Sequence, residues 1–144
     1  MKTLEHNGAA PIVVVALEPG ERLLESIQEA IQRHDVRNGV VVSGIGTLRT
    51  CHLHCITHTD FPPTSHFWKV EKPLELLSLS GIIADGEPHL HAVVSCGEEE
   101  SFGGHLEPES EVAYLAEVVI LKSNALAMKR RLDPKRKISL LGPE

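Results

Sequence analysis

Apolar residues follow two different periods in the first third of the chain. Residues 11–17 form a short β-branched run between prolines, which predicts a buried strand. Between residues 21 and 33, leucine and isoleucine recur at helical spacing with charged and amide residues between them, which predicts an amphipathic helix. Residues 40–46 are again β-branched and end in glycines. The pattern therefore predicts a β-α-β opening.

The remainder of the chain predicts β-structure. Alternating or aliphatic runs cover residues 48–58, 74–83, 89–96, 102–106 and 112–121, and short polar or glycine-containing turns separate them. Runs of this length between turn residues are typical of strands. We therefore expect a β meander after the opening, in a single domain of residues 1–144, because 144 residues is an ordinary length for one domain.

Length and composition exclude several classes of protein. No apolar run approaches the ~18–20 residues of a membrane span, and the first residues lack the apolar core of a secretory signal. The expected location is the cytoplasm, where Cys51, Cys55 and Cys96 would be free thiols. Cys51 and Cys55 lie in one predicted strand, about 13 Å apart at ~3.3 Å per residue, which is too far for a disulfide.

Charge is distributed unevenly along the chain. The formal net charge is −6, yet residues 129–137 hold six of the 14 lysines and arginines. This basic run could bind phosphates, or it could be a solvated edge that limits aggregation. It contains no aromatic residue for base stacking. Gly44 and Gly46 do not complete a dinucleotide fingerprint, so we expect no nucleotide cofactor.

Three histidines form the leading candidate metal site. His89 and His91 are two residues apart in a predicted strand and therefore point to the same face. A hairpin would bring His105 back beside them, and Gly103 and Gly104 just before it allow a close backbone approach. Three histidines are typical of zinc sites that keep a fourth position open. The alternative is a set of polar histidines on a half-exposed sheet face.

Other polar residues offer weaker candidates. His52, His54 and His58 share a face by the same period and form a competing cluster. Glu75 and Glu117 interrupt apolar strands. Each could accept a hydrogen bond from a metal-binding histidine and so orient its ring, pair with an arginine, or point to solvent.

Several short motifs, in order along the chain, resemble one known family. They are Glu-Pro-Gly-Glu at 18–21, the glycine-containing segment 42–48, residues 74–81, Pro-His-Leu-His at 88–91, Gly-Gly-His-Leu at 103–106, and residues 116–119. With these motifs the chain resembles the PPC domain (plants and prokaryotes conserved domain, DUF296), in its prokaryotic stand-alone form. The resemblance implies an α+β fold with one main helix on a bent, mostly antiparallel sheet, a homotrimer, and zinc or another divalent metal held by His89, His91 and His105.

The resemblance leaves three classes of function open. The first is a metal-binding module for a partner or a small anionic ligand, with a regulatory role. The second is a zinc enzyme acting on a small oxo-acid, since acetolactate decarboxylase shares the broad fold. The third is DNA binding, which many family members are labelled with. Two features depart from relatives: the AT-hook of plant members is missing, and Ala16 stands where many relatives have an arginine. Because the AT-hook is missing, we expect only weak, non-specific DNA binding. We expect no membrane association, because no apolar run is long enough to span a membrane.

Overall fold

The computed structural model describes residues 9–144 and contains one helix and nine strands within that range. The expectation about the first residues of the chain lies outside it. The elements are β1 (Ile12–Leu17), α1 (Leu23–Arg33), β2 (Gly39–Ile56), β3 (Ser65–Val70), β4 (Leu74–Ala84), β5 (Glu87–Cys96), β6 (Glu100–Leu106), β7 (Glu111–Lys122), β8 (Met128–Asp133) and β9 (Ile138–Pro143). The α+β class, with one helix and an antiparallel sheet, is confirmed.

The two strands of the β-α-β opening are not neighbours in the sheet. The strand order is β1-β7-β2-β4-β5-β6, so β7 lies between β1 and β2 and pairs antiparallel with both. β7 is the longest aliphatic run of the sequence, and between two strands it is paired along both edges. Strands β4, β5 and β6 form a meander, as predicted, but β7 does not continue it beside β6, because it lies between β1 and β2.

A single long strand, β2, bends the sheet back on itself. The predicted runs 40–46 and 48–58 are one 18-residue strand in the structure. Its first half pairs with β4 and β7, and its second half pairs with β3 and β6. Irregularities in the register with β7 follow Val41, Gly46 and Leu48, as expected where a strand changes direction. The path β2-β4-β5-β6 therefore closes on β2.

The core inside this bent sheet is aliphatic. Helix α1 contributes Leu23, Leu24, Ile27 and Ile31, all buried, while its opposite face is polar. Aromatic residues make up only 3% of the chain, so leucine, isoleucine and valine fill most of the interior. The three cysteines are free, as expected, with Cys51 buried and Cys55 exposed. No helix in residues 9–144 is both long and apolar enough to span a membrane.

The basic run forms a hairpin, β8–β9, which the sequence patterns did not predict. The hairpin is a separate two-stranded sheet, and buried Met128 together with several polar contacts connects it to the main sheet. Buried Asn38 accepts hydrogen bonds at its Oδ1 from the backbone N–H of Met128 (3.1 Å) and of Asp85 (3.3 Å). Lys129 forms an ion pair with Asp85 at 2.5 Å. One buried amide thus links the start of the hairpin to the β4–β5 turn.

Candidate metal centre

The closed end of the sheet brings the three predicted histidines together. His89 and His91 point outward from β5, where exposed and buried residues alternate. His105 is the direct register partner of His91 on β6. One ring nitrogen from each of the three lies within 4.8 Å of the other two. Spacing in the sequence and pairing in the sheet thus converge on a cluster that could hold a metal ion.

The geometry of the cluster is compact. The Nε2 atoms of His89 and His91 are 3.3 Å apart. Their rings are roughly parallel, with centroids 5.4 Å apart, and the ring of His105 stands nearly perpendicular to both at 4.7 Å and 5.3 Å. His89 and His91 are exposed and His105 is half-buried. The cluster is therefore reachable from solvent.

Two glycines permit the close strand approach that this cluster needs. A Cβ on Gly104 would lie 2.5 Å from the backbone oxygen of His54 on β2. A Cβ on Gly81 would lie 2.0 Å from the backbone oxygen of His89. Gly103, by contrast, has ordinary space around it, with its nearest contact at 3.5 Å. Gly104 is therefore the member of the glycine pair that lets β6 close on β2.

His54 lies beside the cluster, not in a separate one. It is the register partner of His105, and the two rings are stacked with centroids 4.5 Å apart. Its Nδ1 donates to Glu107 Oε1 at 2.5 Å. His54, His105 and Glu107 form a second group whose ligand atoms lie within 4.8 Å of one another. The pairing of β2 with β6 creates this neighbourhood, and the sequence spacing of residues 54 and 105 carries no sign of it.

The other members of the competing cluster do not join it. The Nδ1 of His52 donates to the backbone oxygen of Pro108 at 3.0 Å. His58 follows the end of β2 and is exposed.

Glu75 and Glu117 are exposed on β4 and β7. Glu75 lies opposite Thr47 and Ser95, and Glu117 lies opposite Ala16 and Ile45. Within the part of the chain that the structure describes, the carboxylate that bonds a histidine ring is Glu107. Glu107 follows His105 by two residues, just past the end of β6, and the spacing of two that places residues on one face of extended chain is the signal that could have drawn attention to it.

Burial and neighbouring positive charge favour neutral imidazoles in the cluster. Desolvation, helped by the nearby charges of His89 and His54, lowers the pKa of His105 to about 4. Desolvation also lowers the pKa of His89, and the charge of Arg130 adds to the effect. A metal ligand must be unprotonated, so these rings present free electron pairs at neutral pH.

Comparison with known proteins decides the family. The Plants and Prokaryotes Conserved (PCC) domain, also written PPC, matches residues 5–124, which is most of the chain. The chain belongs to this family. Among curated proteins, the PCC chain is similar to the bifunctional protein GlmU of Synechococcus sp. (strain JA-3-3Ab), with 27% identity over 128 residues. Those residues are 89% of this chain and 20% of that relative, so the chain spans about a fifth of it.

Solved structures share the PCC fold over almost the whole chain. A hypothetical protein from Salmonella enterica is 23% identical with a TM-score of 0.81, and the match covers 96% of each chain. A metal-containing protein from Archaeoglobus fulgidus is 26% identical with a TM-score of 0.79, and the match covers 97% of this chain and 98% of that one. The first likeness establishes the fold, and the second adds a relative that contains metal.

Proposed function

We propose that this PCC domain binds one divalent transition metal ion, most readily zinc, through His89, His91 and His105. The observation that carries the proposal is the convergence of three imidazole nitrogens within 4.8 Å of one another on adjoining strands. Histidine nitrogen is a common zinc ligand, and three such ligands form the protein part of a zinc site with an open position. The metal-containing relative from Archaeoglobus fulgidus supports the same function.

The separation of the ring nitrogens fits a shared ion. Zinc–nitrogen bonds of ~2.0–2.1 Å at a tetrahedral angle place two ligand nitrogens about 3.3–3.4 Å apart. The Nε2 atoms of His89 and His91 are 3.3 Å apart. The same distance also suits an N–H···N hydrogen bond in the metal-free protein, so an ion would replace that bond without moving the rings far.

We further propose that the domain acts as a homotrimer. The outer face of β1, β7 and β2 carries exposed apolar side chains, with Ile12 64%, Val14 65% and Ile45 51% exposed. Register places Val14 beside Val119 and Ile12 beside Leu121, so the apolar surface is continuous across strands. Soluble proteins rarely leave a large apolar face uncovered, and closed symmetry is the usual way to cover one.

The metal would serve a binding module for a small ligand, with a regulatory role. Three protein ligands leave a position for water or for an oxygen of a ligand. The exposure of His89 and His91 gives a small molecule a direct route to that position.

DNA binding is not the favoured function of this chain. Of the basic run, Lys129 is paired with Asp85 and Arg136 with Asp133. Arg130 and Arg131 donate to backbone carbonyls. The two ion pairs already neutralise charges that would otherwise be available to phosphates, so the run offers fewer free charges than its composition suggests.

Zinc content of purified protein tests the proposal. Plasma emission should find one zinc ion per chain in the wild type and only a small fraction of that zinc in His91→Ala, because the two remaining histidines hold zinc weakly. His34→Ala, an exposed histidine at the end of α1, is the matched control and should keep its zinc. Full zinc retention in a folded His91→Ala protein would contradict the assignment.

A further inference from the structure

Arg130 is a half-buried cation beside the histidine cluster. Its Nη1 donates to the backbone oxygen of Glu87 at 3.3 Å, and its Nη2 donates to the backbone oxygen of Ile82 at 3.2 Å. Glu87 precedes His89 by two residues on the same face of β5, about 7 Å away at the rise of a strand, and Ile82 is the register partner of His89. The two carbonyls therefore hold the guanidinium next to His89.

No carboxylate neutralises Arg130 within residues 9–144. Lys129 and Arg136 of the hairpin each have an acidic partner, whereas Arg130 and Arg131 have only carbonyl oxygens. Of these two arginines, Arg131 is exposed to solvent and Arg130 is half-buried. Burial lowers the pKa of Arg130, although an arginine keeps its charge in proteins. A partly buried charge without a counter-ion is costly, so the site favours an anion that would supply one.

The hairpin that carries Arg130 lies beyond residues 5–124, the part matched by the family. It is anchored at Asn38 and Asp85, so the position of Arg130 is fixed by contacts made elsewhere. A guanidinium has further N–H groups in a planar fork, and these two carbonyls leave some of them available. That fork matches the two oxygens of a carboxylate. A phosphate site would be expected to gather more donors, whereas the two neighbouring bases on β8 are engaged elsewhere: Lys129 is paired with Asp85 and Arg131 donates to the backbone oxygen of Pro143.

We propose that Arg130 and the three-histidine cluster together bind one small carboxylate. The guanidinium holds the carboxylate oxygens, and the cluster with its ion holds a second oxygen of the same molecule. The second contact rests on the metal function proposed above, whereas the contact with Arg130 does not.

Isothermal titration with three probes tests the proposal: pyruvate, which carries a second oxygen, acetate, which does not, and inorganic phosphate. Zinc-loaded wild type should bind pyruvate in the millimolar range or better and more tightly than acetate or phosphate. Arg130→Gln should weaken pyruvate binding by about tenfold or more, the effect of losing a charged hydrogen bond. Lys135→Gln, the same charge change in the exposed turn of the hairpin, should leave binding unchanged.

The controls separate this proposal from the metal proposal. Zinc content is measured on every sample, and acetate is also titrated into metal-free protein, where binding should still depend on Arg130. If Arg130→Gln disturbs the hairpin, Arg130→Lys replaces it, and hydrogen exchange of β8 and β9 checks that the hairpin is folded. Lysine keeps the charge but lacks the planar fork of the guanidinium, so Arg130→Lys should still weaken pyruvate binding. Equal pyruvate affinity in the wild type and in a folded Arg130 variant would overturn the proposal. Tighter binding of phosphate than of pyruvate would overturn the proposal that the ligand is a carboxylate. If the wild type holds no zinc but acetate binding still depends on Arg130, only the proposed metal site is overturned.

Discussion

Gly104→Ala is the change that tests how the sheet closes around the candidate metal centre. The added Cβ would lie 2.5 Å from the backbone oxygen of His54, whereas real contacts of this kind stay above 3.0 Å. The strands must therefore separate by roughly 0.5 Å, the difference between these two distances. The obstacle is backbone, so no side-chain rotation relieves it. The β2–β6 pairing that must yield is short, with the register pairs Leu53–Leu106 and His54–His105 and a backbone hydrogen bond from Glu107 to His52 just beyond them.

The expected cost is that of inserting a methyl group into a packed site, about 1–3 kcal/mol. For a chain of this length, a loss of that size lowers the melting temperature by about 3–12 °C. Gly103→Ala is the matched control, because its Cβ would meet its nearest neighbours at 3.5 Å and 3.6 Å. It should be neutral or slightly stabilising, since alanine restricts the unfolded chain more than glycine does.

Urea and thermal unfolding of the metal-free proteins, at one fixed protein concentration, measure the difference. The concentration is fixed because assembly into the proposed trimer would make apparent stability depend on it. Equal stability of the two alanine variants would show that β6 does not close on β2 in the described way. Gly104→Ala should also bind zinc more weakly than Gly103→Ala does, because a displaced β6 carries His105 away from His91.

Three further outcomes are expected. Val14→Asp should dissociate the proposed trimer, seen by light scattering as a fall from about three times 15.8 kDa. Leu132→Asp, similarly exposed on the hairpin, should not change the mass, and a wild-type monomer would contradict the proposed assembly. Folding lowers the pKa of His105 from 6.5 to about 4, so the unfolded chain binds a proton at a higher pH than the folded chain does, and the stability of the metal-free protein should fall as the pH drops from 6.5 towards 4. In urea unfolding, His105→Gln should reduce this dependence of stability on pH. An unchanged dependence in the variant would show that His105 is not its source. Fluorescence anisotropy at 150 mM salt should give DNA affinity no tighter than the ~10⁻⁴–10⁻⁶ M of ordinary non-specific binding; nanomolar, sequence-selective binding would contradict this.

The sequence predicted those elements whose periodicity is strong. The amphipathic pattern of α1 and the aliphatic runs of β1 and β7 gave elements within a few residues of the observed bounds. The strand β3, Ser65–Val70, was missed because it follows a proline-containing loop and has no clear alternation. The hairpin β8–β9 was missed because its charged residues conceal the strand pattern, and its position depends on Asn38, a single buried amide.

The candidate site was predicted where it depends on local geometry. Two residues on one strand share a face, so His89 and His91 could be paired from spacing alone. The stacking of His54 on His105 depends on the closure of β6 on β2, a contact between residues 51 positions apart that no local pattern encodes. The nearness of Arg130 to His89 likewise depends on the docking of a hairpin from the far end of the chain.

A crystal of the zinc-loaded protein measured at the zinc absorption edge tests the central claim most directly. We expect one strong anomalous peak per chain, at ~2.0–2.1 Å from the Nε2 atoms of His89 and His91 and from a ring nitrogen of His105. A peak between His54 and Glu107, or no peak near these strands in protein shown to contain zinc, would contradict it.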